Sequence, residues 1–334
     1  MLHLKNRELT VELLDPTTEA ARQGARYCWG GYIWQVHDTH FGPLLSGPEF
    51  PHPTPSAFNG QGLPESFRHR TRSGTPLTWA GATGLVLGGG RLALDDKNAV
   101  TLTEPCVWQV RTFADHLVFQ TTQTGAGFAY ELSREITLRH REITSATQLT
   151  NVGSTTLALE WFAHPFWALS AGRARLALPA GTTIPKNPAF SLAPNGTLHC
   201  PHPFLSPEDS PFALLTLPRG RPLALTIDHP QLDRITFETS FVPDECPIWA
   251  NARTLSVEPY RTLRLAPGES SHWHLRHGFQ APLLRRFAVP RPTKPTPRLA
   301  AALPAAPRST DRSRVPVQRN PRIAASRSMP PYPP

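Results

Sequence analysis

The chain has 334 residues, with 34 Lys or Arg against 25 Asp or Glu and a formal net charge of +9. Residues 288–334 hold 12 of the 38 prolines, nine basic residues and one acidic residue, so this stretch carries +8 of that charge and the remainder is close to neutral. The whole-chain charge therefore argues against a nucleic-acid partner, and the composition gives one large domain over residues 1–287 followed by a Pro/Arg-rich tail with too few large apolar residues to fold.

In chain order, the first eight residues, Met1 to Glu8, lack the apolar stretch of a signal peptide, which implies a cytoplasmic protein. Strands are predicted at Leu9–Leu14 and Tyr32–Val36, where β-branched and aromatic residues cluster. Gly42–Pro55 reads as a Pro-rich surface loop, and Phe58–Arg70 as a second loop, Gly-rich and dense in hydrogen-bonding side chains. A strand at Leu77–Trp79 precedes Gly88-Gly89-Gly90, a turn without dinucleotide-loop spacing. Five strands follow at Val107–Arg111, Leu117–Thr122, Ala129–Leu138, Ile143–Asn151 and Thr156–Phe162, with a turn at Asn151–Ser154. After a long Pro-rich loop at Pro179–Pro207 come Leu223–Ile227 and Ile235–Thr239, a loop holding Asp244 and Trp249, then Thr254–Glu258 and Ser271–His277. A dozen strands without a long helix call for two packed sheets, an all-β sandwich. No run approaches the ~18 apolar residues of a membrane helix. Cys28, Cys106, Cys200 and Cys246 are too scattered for a zinc ribbon or a disulfide framework.

Two strand ends carry chemistry. Leu157-Ala158-Leu159-Glu160-Trp161-Phe162-Ala163-His164-Pro165 and Thr254-Leu255-Ser256-Val257-Glu258-Pro259 each place an ionisable residue directly before a proline, where sheet pairing must stop. An imidazole and a carboxylate at sheet ends among aromatics suit general acid–base work. A lone strand-end His is nonetheless more often a satisfied structural residue. His202 repeats the His-Pro-Phe triplet, but in a loop without a preceding apolar strand. His272 and His274 share a strand face while His277 falls on the other, with no acidic or Cys ligand near, so no metal site is expected. Asp228 and Asp244 are further candidates to hold a substrate hydroxyl, and Trp34, Trp161 and Trp167 to stack on one.

Trp161-Phe162-Ala163-His164-Pro165-Phe166, Ser256-Val257-Glu258-Pro259 and Leu265-Ala266-Pro267-Gly268-Glu269 with Trp273 resemble, in that order, the His strand, the Glu-Pro strand and the closing hairpin of the aldose 1-epimerase (galactose mutarotase) superfamily. Gly24–Ile33 is similar to its opening strands, and the resemblance spans about residues 5–280. It implies the mutarotase-like sandwich and an enzyme that interconverts the α and β anomers of an aldose. His164 would protonate the ring oxygen and Glu258 would take the anomeric proton, with no cofactor. The two side chains are expected to converge on one cleft, with room between them for a pyranose ring. Asn59, Gln61, Arg68, Arg70, Trp161 and Asp244 are the expected substrate contacts. The Phe58–Arg70 segment departs from the family's early Asn-Arg and His-Gly-Gly segments, which leaves open whether the partner is a free sugar or a sugar phosphate; Arg68 and Arg70 have the fork geometry for phosphate oxygens. A non-catalytic carbohydrate-binding protein on the same scaffold is the competing reading. A lyase or hydrolase related by fold is a third, for which the chain has no spare domain.

Overall fold

Apolar and polar residues alternate along the long strands, and the alternation decides which face each strand buries. In the computed structural model, which describes residues 1–282 apart from 20, 21, 53, 170–172, 207 and 208, Phe128–Arg139 turns Tyr130, Leu132, Arg134, Ile136 and Leu138 inward. Its neighbour Glu142–Asn151 turns in Ile143, Ser145, Thr147, Leu149 and Asn151. The predicted tail from Ala288 lies outside the described residues.

Among the described residues the named elements are all strands, hydrogen-bonded into sheets of ten, four, four, four and three members. The ten-stranded sheet runs from Gln109–Thr112 through His116–Gly125, Phe128–Arg139, Glu142–Asn151, Ser270–Gln280, Arg234–Thr239 and Ala224–Ile227 to three short strands at its far edge. One apolar core fills the space behind it, built from residues of all the sheets. No helix among the described residues is long and apolar enough to cross a membrane.

Two small sheets hold the candidate residues. In the three-stranded one, Leu157–Ala163 lies between Tyr260–Leu265 and Glu65–Arg68. In the other, Thr254–Val257 lies between Trp167–Ala168 and Cys246–Ala250. Three sequence expectations change here. Glu65–Arg68 is a strand, not part of a loop, and Cys246–Ala250 is a fully buried strand where a loop is expected; both are short and contain Pro or charged neighbours that read as turn signals. The Ala266–Glu269 turn closes as expected, with Glu269 N donating to Ala266 O, yet the strands it joins do not pair. Tyr260–Leu265 belongs to the three-stranded sheet and Ser270–Gln280 to the ten-stranded one, so the turn crosses between sheets. The Asn151 turn crosses beside it. Asn151 Nδ2 donates to Leu265 O at 2.8 Å and Gly268 N to Asn151 O at 2.8 Å.

A buried polar cluster ties these sheets together. Arg134 donates to Glu65 Oε1, to Ser145 Oγ at 2.7 Å and to Gly30 O at 2.7 Å, and Ser145 Oγ donates to Glu65 Oε1 at 2.6 Å. Glu65 pairs with Ala163, so the cluster stands directly behind the end of the His164 strand.

Candidate active site

Proline ends both strands. Pro165 and Pro259 cannot donate to a ladder, so the strands stop at Ala163 and Val257 and the next residue in each turns out of the sheet. His164 N donates to Pro64 O at 2.9 Å, and Glu258 N to Pro247 O at 2.8 Å. The two side chains meet, with His164 Nε2 3.3 Å from Glu258 Oε1. Ser256 lies two residues before Glu258, hence on the same side of its strand, and its Oγ is 3.0 Å from His164 Nδ1.

Aromatic rings enclose the dyad. Phe166 stacks on the imidazole at 4.4 Å, and Tyr27 and Trp249 present their edges at 6.1 Å. His164 is 1% exposed and Glu258 4%. Burial pushes the Glu258 carboxyl up to about 7, against the opposing fields of Arg26, Arg68 and Arg72. Burial, reinforced by Arg26, holds the His164 imidazole well below its usual value. The dyad thus keeps a single proton until the pH rises to about 7.

The three guanidinium groups come from different segments. Arg26 lies over the rings of Tyr27 and Phe58, at 5.1 and 4.5 Å. Arg68 donates to the carbonyls of Arg70 and Thr71 and to the Tyr260 hydroxyl. Arg72 pairs with Glu245 at 3.1 Å. Tyr27 also lines a narrow surface crevice with Gln23, Gly24, Trp34, Ser56 and Gly60. The Gln23 amide is buried there with neither its oxygen nor its nitrogen hydrogen-bonded.

Of the residues expected from sequence, His164 and Glu258 come together and Arg68 lies close enough to act on Glu258 through its field. The expected pyranose-sized gap is absent, because the two side chains are in contact within an aromatic enclosure. Trp161 is not a sugar platform: alternation with Leu157 and Leu159 turns it into the core, between Phe241 and Trp273. Arg70 is spent elsewhere, over Trp79 at 4.9 Å and on Gly74 O. Asp244 accepts from Thr262 N at 2.6 Å, Asn59 donates to Glu49 at 2.7 Å, and the buried Gln61 reaches Trp34 O. These last three hold backbone or loop structure. His272 and His274 face outward and His277 inward; among the described residues no three His, Cys, Asp or Glu are grouped as metal ligands.

Sequence reasoning missed Arg26, Tyr27, Arg72, Trp249 and Ser256. Only Ser256 left a local sign, a hydroxyl two residues from Glu258 on an otherwise apolar strand. The segment expected to contact sugar has a different task. Gly62 accepts from Phe166 N at 2.7 Å, and with Pro64 it seats the His164 turn. Gly62 has φ +77°, and a Cβ there would fall 2.4 Å from Ile33 O. Gly62→Ala should therefore destabilise the protein by roughly 1–3 kcal/mol, read as a fall in Tm of several degrees.

No protein-family model and no curated protein matches the sequence. Solved structures do match. A galactose mutarotase related enzyme from Lactobacillus acidophilus superposes with a TM-score of 0.55 at 13% identity, over 84% of this chain and 97% of its own. A galactose mutarotase-like protein from Lactobacillus casei gives 0.54 at 14%, over 84% and 100%. Another from Clostridium acetobutylicum gives 0.51 at 13%, over 84% and 94%. The order of strands, the crossing turns and these superpositions together give the chain the fold of the aldose 1-epimerase (galactose mutarotase-like) superfamily.

Proposed function

We propose that this protein is an aldose 1-epimerase-like isomerase in which His164 is the general acid and Glu258 the general base, carried by a unit spanning residues 1–287. The observation behind it is the buried imidazole and carboxylate in contact at 3.3 Å. A dyad holding one proton matches the stoichiometry of ring opening. Glu258 takes the proton of the anomeric hydroxyl while His164 gives one to the ring oxygen; the bond between C1 and the ring oxygen breaks, and the aldehyde forms. The proton count on the dyad is unchanged. Rotation about C1–C2 and closure on the other carbonyl face, with the two roles exchanged, produces the other anomer.

A sugar reaches the dyad by displacing the Tyr27 ring, which separates it from the crevice. The unpaired Gln23 amide suits a polyhydroxy partner. The fields of Arg26, Arg68 and Arg72 at Glu258 favour electron-rich substrates, so phosphorylated aldoses belong beside free ones.

The test is NMR magnetisation exchange between α and β anomers over such a panel. At least one aldose should exchange faster with the protein than without it. The pH profile carries a further expectation. If the one-proton dyad is the active form, kcat/KM should fall as the pH rises past about 7, and the acid limb should lie well below the usual imidazole value. Glu258 and His164 with ordinary values would give an alkaline limb near ~6.5.

The contact between the two side chains also favours a second reading, a carbohydrate-binding protein without turnover. Sugar binding with no catalysed exchange for any aldose, in a folded sample, would decide for it.

A further inference from the structure

We propose that Ser256 is the positioning residue of the dyad: its hydroxyl holds the His164 ring with Nε2 toward Glu258 whether the ring is neutral or charged. This rests on the acid–base reading of His164 and Glu258. Ser256 is fully buried, on a strand flanked on both sides in its sheet. The neighbouring hydroxyl, Thr254 Oγ1, is satisfied at home by Trp167 O at 3.1 Å. For Ser256 the hydrogen-bonding partner among the described residues is His164 Nδ1, at 3.0 Å.

A buried hydroxyl without an acceptor is costly. In the neutral ring Ser256 therefore donates to Nδ1. The hydrogen on one ring nitrogen is set by the bond the other makes, so the ring hydrogen sits on Nε2, 3.3 Å from Glu258 Oε1. When the ring gains a proton, Nδ1 becomes a donor, and a hydroxyl, unlike a carbonyl or an ammonium, rotates and accepts. The same side chain thus holds the ring through a cycle in which it gives up and regains its proton. Phe166 against the ring face, with Tyr27 and Trp249 at its edges, leaves the ring little room to turn by itself. Ser256 and Glu258, two residues apart on one strand, move together, so one element sets both the orientation of the acid and the place of the base.

The experiment pairs a spectrum with kinetics on the full chain. In protein labelled with 15N at histidine, the His164 signals, identified by their loss in His164→Gln, should show a neutral ring protonated at Nε2. In Ser256→Ala, with unchanged near-ultraviolet circular dichroism, both tautomers should be populated, and kcat for anomer exchange should fall about tenfold with KM nearly unchanged. Ser256→Thr should restore both, and Ser256→Cys, a weaker donor, should fall between. A single Nε2-protonated tautomer in Ser256→Ala, or parental kcat in that variant, would overturn the proposal. If the parent catalyses no exchange, the enzyme reading fails separately, and the tautomer spectrum still decides the role of Ser256.

Discussion

Glu258→Gln should slow catalysed anomer exchange by about 10²–10⁴-fold while sugar binding persists. The amide has the size of the carboxylate but cannot accept the anomeric proton, so the loss falls on kcat. His164→Asn should behave alike at the ring oxygen. The double variant should lose less than the product of the single losses, because acid and base act in one step. Stability should move the other way. The Glu258 carboxyl titrates at about 7 in the fold and near ~4.3 in the unfolded chain. Its protonated form is thus favoured by folding; this contribution is complete at acid pH and is lost as the pH rises through about 7. Glu258→Gln should hold its Tm above that of the parent at pH values beyond ~8, and the difference should shrink towards pH ~5. A variant with parental exchange rates would remove Glu258 from the mechanism.

Arg134→Met should cost about 3–5 kcal/mol, the usual penalty for stripping one partner from a buried ion pair. Arg134 is 1% exposed and joins Glu65, Ser145 and Gly30 across two sheets. Without it the Glu65 carboxylate is left in the core, where its Oε2 already has no hydrogen bond. A fall in Tm of about 10 °C is expected for a domain of this size. Arg134→Met with Glu65→Gln should recover part of the loss, since no charge then remains buried. Because Glu65 pairs with Ala163, the single variant should also disturb the His164 turn, which anomer exchange measured below the melting range would show. A fall in Tm of a degree or two would mean that packing alone holds the sheets.

The all-β class, most of the long strands and the two residues of the dyad were legible in the sequence for a local reason. Strand alternation and the stop imposed by proline act over a few residues, so Ala163-His164-Pro165 and Val257-Glu258-Pro259 announce strand ends without reference to the rest of the chain. Trp161 shows where local reasoning fails: its sequence suits a core position and a sugar platform equally, and only the packing of Phe241 and Trp273 around it decides for the core. The crossing of the Asn151 and Ala266–Glu269 turns from one sheet to another was likewise settled by long-range pairing, since a turn motif carries no record of which sheet receives the next strand. The shape of the site is tertiary in the same sense. Arg26 and Tyr27 lie more than a hundred residues from His164 in sequence, and their fields and ring contacts exist because sheets formed by distant segments close over the dyad. The contact at 3.3 Å, the raised carboxyl and the depressed imidazole follow from that closure, because burial, which no short stretch of sequence can specify, dominates both shifts.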